Sequence, residues 1–149
     1  MKQKVIFNKK ANYDYFLDKK YSAGIQLLGN EVKSIRLGQV HLDNSYVCID
    51  NNELFVINMK ITKYSCSNDF DYIDNRKKKL LLKKKEILQI KNKIKTHNLA
   101  IIPIKIFNQR NLFKLEIALA RGKKKYDKRQ DLKNKDELMY TKKILKEFF

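Results

Sequence analysis

Two short stretches hold the residues that could do chemistry. Residues 75–86, "NRKKKLLLKKKE", set seven basic side chains around Leu80, Leu81 and Leu82. Residues 117–130, "IALARGKKKYDKRQ", begin as an apolar strand and turn at Gly122 into a second basic run. Lysine and arginine at that density can contact several phosphates at once and release their counterions. Tyr126 stands inside the second run, between Lys125 and Asp127-Lys128-Arg129. An exposed aromatic among cations suits stacking on an unpaired base while its neighbours hold the backbone. A Tyr126 folded back onto the body fits the sequence equally well. So does a first run that is only the solvated rim of a buried strand, in a chain generally rich in Lys, Asn and Ile. Asn8-Lys9-Lys10 forms a third, smaller basic site.

Enzyme chemistry has little to stand on. His41 and His97 are far apart, and His97 falls at an expected helix end, where an imidazole serves the helix dipole. There is no CxxC, HExxH or glycine-rich phosphate loop. Two isolated cysteines, Cys48 and Cys66, make no zinc site and fit free thiols in a reducing compartment. The carboxylates are scattered beside lysines, as exposed ion pairs would be. The chain is therefore read as non-catalytic, with no cofactor and no metal.

Its 149 residues suit one domain and a tail, and 43% apolar residues are enough for a core. The net charge of +18 calls for a polyanionic partner. No apolar run approaches the roughly 20 residues of a membrane span, and the start has no signal-peptide core. The protein is expected in the cytoplasm, away from membranes.

The elements that must carry these residues can be read from periodicity. Residues 1–12 read as a basic arm. "YDYFLDKKYSAGIQLL" reads as two short strands with a turn at Asp18-Lys19-Lys20. "GNEVKSIRLG" reads as a short helix capped by Asn30 and stopped by Gly38. "HLDNSYVCIDNNELFVINMKI" reads as a hairpin about Asp50-Asn51-Asn52, with Cys48 on a core strand. A long, mobile loop is expected over 63–79. After it come a strand entry and a helix carrying Ile87, Ile90 and Ile94. A second hairpin turns at Asn108-Gln109-Arg110-Asn111. Five or six strands and two helices predict a mainly β fold, a small antiparallel barrel over 1–120 with helices outside. A basic tail occupies 121–149. There Leu138, Leu145 and Phe148 could share a face of a helix that is marginal alone.

In order along the chain, "NKKANYDYF", "AGIQLLGNEVKSIRLGQVHLDNSYV", "RKKKLLLKKKEI", "IIPIKIF" and "ALARGKKKYDKR" resemble segments of the SmpB family, the SsrA-binding proteins. The resemblance runs over roughly residues 7–146. It implies an oligonucleotide-binding (OB)-like barrel that binds the tRNA-like domain of tmRNA. On the same resemblance the complex is expected to enter stalled ribosomes with alanyl-tmRNA and elongation factor Tu, and a tail disordered when free is expected to become helical in the decoding centre and mRNA channel. Asn8, Glu31, Leu81 and Lys114 match positions the family uses for tmRNA. Lys9, Lys10, Lys33 and Lys83 lie beside them in the basic sites and matched motifs and are taken as further contacts. Lys114 reads as a phosphate contact. Glu31 would accept a hydrogen from a base or ribose, or would serve the helix N-terminus. Leu81 would meet a base or fill the core, with the core preferred. Gly122, Lys123, Lys124, Tyr126, Asp127, Lys128 and Arg129 resemble the decoding-centre segment. Ile144 and Leu145 resemble an apolar pair near the family's C-terminus. Ser22, Asn30, Lys83 and Asn98 depart from the family pattern, where an acidic residue, Thr, His or Asn, and Gly are usual in turn.

Overall fold

The apolar runs pair into a ring. The computed structural model describes residues 5–68 and 70–148, with Phe148 described by its backbone alone. The first four residues of the expected arm and the terminal Phe149 lie outside the described residues. The order is β1 (Ile6–Phe7), α1 (Ala11–Asp14), β2 (Tyr15–Ile25), α2 (Gly29–Arg36), β3 (Val40–His41), β4 (Tyr46–Asp50), β5 (Glu53–Ile57), β6 (Lys60–Ile61), β7 (Lys78–Leu81), α3 (Lys84–His97), β8 (Ala100–Gln109), β9 (Leu112–Gly122) and α4 (Lys125–Phe148). Strands β8, β4, β5, β7, β2 and β9 are bonded in that order, and β9 returns to β8, so the sheet closes. Closure leaves few unpaired strand edges. Strand β1 lies against β8, and β3 pairs with β6 outside the ring. This is the small antiparallel barrel with flanking helices that the periodicity predicts, of the OB-like kind that the resemblance implies.

Alternation sends Leu115, Ile117, Leu119, Val47, Leu54, Val56, Tyr21, Ala23, Ile101 and Ile106 inward as the core. Ile35 of α2 and Ile90 of α3 close its sides, with Ile87 and Ile94 packed at the margin. Both expected hairpins form. Their turns are two residues each, Asn51-Asn52 and Arg110-Asn111, all four with positive φ. That backbone is the one that matches strand twist in a tight hairpin. Positive φ recurs at Asn44, Asn58 and Asn98, so asparagine holds six of the seven left-handed positions outside glycine among the described residues.

Four expectations change. The expected arm holds β1 and begins α1, and nine strands and four helices form among the described residues where five or six and two were expected. Residues Tyr15–Ile25 form one strand, not two. Leu17 faces Ala120 and Lys20 faces Ala118, so β2 carries an extra residue where a turn was expected. A bulge absorbs the polar Asp18-Lys19 pair without reversing the chain. Asn30 does not cap α2, which begins at Gly29; its amide donates to Ser67 Oγ at 2.8 Å instead. The capping role passes to Glu31, whose Oε1 accepts from Leu28 N at 2.8 Å. Gly38, at φ 77°, ends the helix as expected, with Gly38 N donating to Ile35 O and Gln39 N to Ser34 O. The loop after β6 ends at Lys77, because Lys78 and Lys79 already belong to β7. It is tied back by Ile61 N to Asp74 O and by Tyr72 OH to Ile61 O.

Asn98 ends α3 in the left-handed conformation at φ 49°. Asn98→Ala should therefore cost about 1 kcal/mol while Asn98→Gly costs nothing, as urea unfolding of the two variants would show.

Candidate nucleic-acid interface

Fully buried residues rarely carry charge, yet Glu31 and Lys78 are both 0% exposed. They meet at the start of β7. Glu31 Oε1 accepts from Arg76 Nη2 at 2.6 Å, and its Oε2 lies 3.8 Å from Lys78 Nζ. The Lys78 ammonium also donates to Met59 O at 3.0 Å and Arg76 O at 2.8 Å. The carboxylate thus closes the N-terminus of α2, fixes Arg76 and balances Lys78. In this form it has no surface to offer a base or ribose, and its role at the helix N-terminus is the one realised.

The remaining basic residues of the 76–85 run sort by partner. Lys77 pairs with Asp50 at 3.4 Å and lies over the Phe55 ring, and Lys79 pairs with Glu53 at 3.0 Å. Lys83, Lys84 and Lys85 are all exposed at the start of α3. The uniform row of phosphate contacts suggested by the sequence is therefore divided. Its first half neutralises the protein's own acids and its second half faces outward.

Leu81 was expected chiefly in the core, but it is 54% exposed, and Leu80 is the core residue. The register explains this. Gly24 faces both Leu81 of β7 and Lys114 of β9, and Lys114 faces Phe107 of β8. With Leu80, Ala23, Leu115 and Ile106 buried on the inner face, alternation turns Leu81, Gly24, Lys114 and Phe107 outward. They form one row across four strands. Leu81 lies over the bare Gly24 backbone, where an added Cβ would stand 3.3 Å from Leu81 Cβ. Lys114 has no ion pair among the described residues. In the next row Lys105 faces Glu116, which faces Ser22.

The other expected residues are dispersed. Asn8 is buried, its backbone N bonded to Ile104 O and its amide to Pro103 O at 2.9 Å, so it fixes the turn that exposes Lys9 and Lys10. Lys33 stands on α2, its ammonium 5.4 Å from the Tyr64 ring centroid. Gly122 ends β9 opposite Tyr15. Lys123 anchors the base of α4. Its backbone N donates to Asp14 O at 2.8 Å, and its ammonium reaches Asn12 O and Asp131. Asp127 accepts from Lys124 N at 3.3 Å, and Lys128 pairs with Asp14 at 3.1 Å. Tyr126 is 75% exposed, and Arg129 is exposed beside it. Leu145 is exposed and Ile144 half-buried on the last turns of α4. Lys114 and Gly122 lie at opposite ends of β9, about 27 Å apart at the rise of an extended strand.

A closed antiparallel barrel with a basic outer face and exposed aromatics defines a class, the single-domain nucleic-acid-binding barrels. Residues 5–147 match the SmpB protein family, and the chain belongs to that family. It is 46% identical to the SsrA-binding protein of Mycoplasma mycoides subsp. mycoides SC, over 89% of this chain and 90% of that one. It is 41% identical to the SsrA-binding protein of Carboxydothermus hydrogenoformans, over 98% of both chains. A chain from the solved structure "tmRNA-SmpB: a journey to the center of the bacterial ribosome" superposes with a TM-score of 0.67 at 37% identity, covering 81% of this chain and 85% of that one.

Burial pushes the Lys78 pKa down from 10.5 to about 8, against the pull of Glu31 and with the push of Arg76. Below about pH 8 folded and unfolded chains both hold the proton, and the folded state bears the cost of burying it. Between about pH 8 and 10.5 only the unfolded chain holds it, so this group's contribution to stability rises with pH. Lys78→Met should flatten that rise by on the order of 3 kcal/mol, read as the difference between the two proteins in urea unfolding across this range.

Proposed function

We propose that this protein binds the tRNA-like domain of tmRNA on the outer face of the barrel and accompanies it into stalled bacterial ribosomes in the cytoplasm. The observation that carries this reading is that one family match takes in barrel and tail together, residues 5–147. The protein makes and breaks no bond; it completes the shape of an RNA. Lys114, free of ion pairs among the described residues, takes phosphate. Leu81 packs against a base or ribose, and Lys9, Lys10, Lys33 and Lys83 add charge around the face. Asn8 acts through the turn it holds, and Glu31 acts through Arg76, whose guanidinium it aims. The complex travels with elongation factor Tu and alanyl-tmRNA.

The tail performs the second task. From Gly122 it extends into the small subunit, at the end of β9 remote from Lys114. Tyr126 stacks in the decoding centre while Lys124, Lys128 and Arg129 hold the RNA backbone. Beyond Asp131 α4 is exposed on nearly all sides, and such a helix is marginal in water. It melts in the free protein and reforms in the mRNA channel, where Ile144 and Leu145 find an apolar contact.

At near-physiological salt the tRNA-like domain should outcompete an ordinary tRNA and an unrelated hairpin. Equal affinity for all three would leave only a general RNA-binding barrel. Lys114→Ala should weaken binding and reduce the salt slope by about 1. Truncation after Gly122 should leave a folded barrel with unchanged tmRNA affinity and no peptide tagging on stalled ribosomes. Retained tagging would remove the tail from the mechanism.

A further inference from the structure

Phe107 has no assigned part in the function, yet its placement is unusual for a phenylalanine. Strand β8 shifts register between Pro103 and Lys105, after which Ile106 points into the core while Lys105 and Phe107 point outward. Phe107 therefore stands on the outer face, directly across from Lys114. Phe7, 60% exposed on β1, faces Lys105. The Lys105 ammonium lies 5.7 Å from the Phe107 centroid and 5.9 Å from the Phe7 centroid. One cation thus sits between two rings from different strands, where the ring quadrupoles attract it. Its charge is also answered by the Glu116 carboxylate at 3.8 Å.

The face is divided by charge. The row of Lys105 and Glu116 is neutral and carries the rings at its margin. The row of Phe107, Lys114, Gly24 and Leu81 holds one cation with no ion pair among the described residues. A bare phosphate gains little over the first row, because Glu116 opposes it. An uncharged base loses nothing there and gains the ring faces. A strand of RNA crossing this surface has one favourable orientation, with phosphate on Lys114 and bases toward Phe107 and Phe7.

We propose that Phe107, with Phe7 beside it, is a base-stacking platform for unpaired nucleotides of the bound RNA. Lys105 holds the rings in place, and Lys114 sets which side the backbone lies on. The inference rests on the reading of this face as an RNA interface. It extends that reading from charge to stacking.

The test uses the full-length protein and the tRNA-like domain of tmRNA, at low and high salt. Phe107→Leu keeps an apolar side chain and should bind roughly tenfold more weakly, by about the same factor at both salt concentrations. Phe7→Leu, on a residue too exposed to govern folding, should show a smaller loss of the same kind. Phe107→Tyr keeps the ring and should bind like the parent. Lys114→Ala is the control, with a loss that shrinks as salt rises. If both leucine variants bind like the parent while Lys114→Ala still loses affinity, the stacking platform is refuted and the interface stands. A Phe107→Tyr variant as weak as Phe107→Leu refutes stacking as well. If none of the four changes binding, the interface itself is overturned.

Discussion

The pairing of β2 with β9 is the constraint on which the molecule depends. Eight pairs of facing residues run from Tyr15 and Gly122 to Gly24 and Lys114. They close the barrel, because β9 also carries β8 along most of its length. They also place two unlike features on one rigid ribbon. At one end Gly24 and Lys114 belong to the outward row proposed to meet RNA. At the other end Gly122 releases the tail beside Asp14. The bulge between Leu17 and Lys20 resets the alternation along β2, so that Tyr15 and Leu17 pack with Ala120 in a small separate cluster while Tyr21 and Ala23 face the main core.

The buried Glu31 and Lys78, joined by the half-buried Arg76, work against this economy. An apolar set of similar shape could be as stable. What the ions add is mutual position. Glu31 ties the first turn of α2 to the entry of β7, and Lys78 ties β7 to Met59 just before β6. Three segments remote in sequence thereby meet in one arrangement. Removing Arg76 leaves the buried Glu31 without its shortest bond, whereas removing Lys78 leaves the Glu31–Arg76 pair in place.

Much of the barrel was legible in the sequence because its signals are local. Both hairpins announce themselves by turn residues between apolar runs, and α3 by its isoleucine spacing. Gly38 marks its helix end. The tertiary choices were not legible. Nothing local reveals that Lys78 in a basic run is inside while Leu81 near it is outside. That depends on which face of β7 the register with β5 and β2 turns inward. Glu31 reads as an RNA contact because resemblance reports that a position matters, not whether it touches or supports. Phe107 was invisible as a surface residue, since a phenylalanine on an apolar strand reads as core until a bulge shifts the alternation.

Asparagine at the left-handed turns has a consequence for how the protein ages. The chain has only four glycines, so Asn51, Asn52, Asn98 and Asn111 do work that glycine often does. Asparagine is among the thermolabile residues, and loss of its side-chain amide gives aspartate. Where aspartate forms, it also tolerates the left-handed region. Each converted turn adds a negative group to a protein whose attraction to polyanions rests on its excess of +18. The same economy that shapes the hairpins therefore makes part of the protein's charge, four of its +18 at these turns, depend on residues that age chemically.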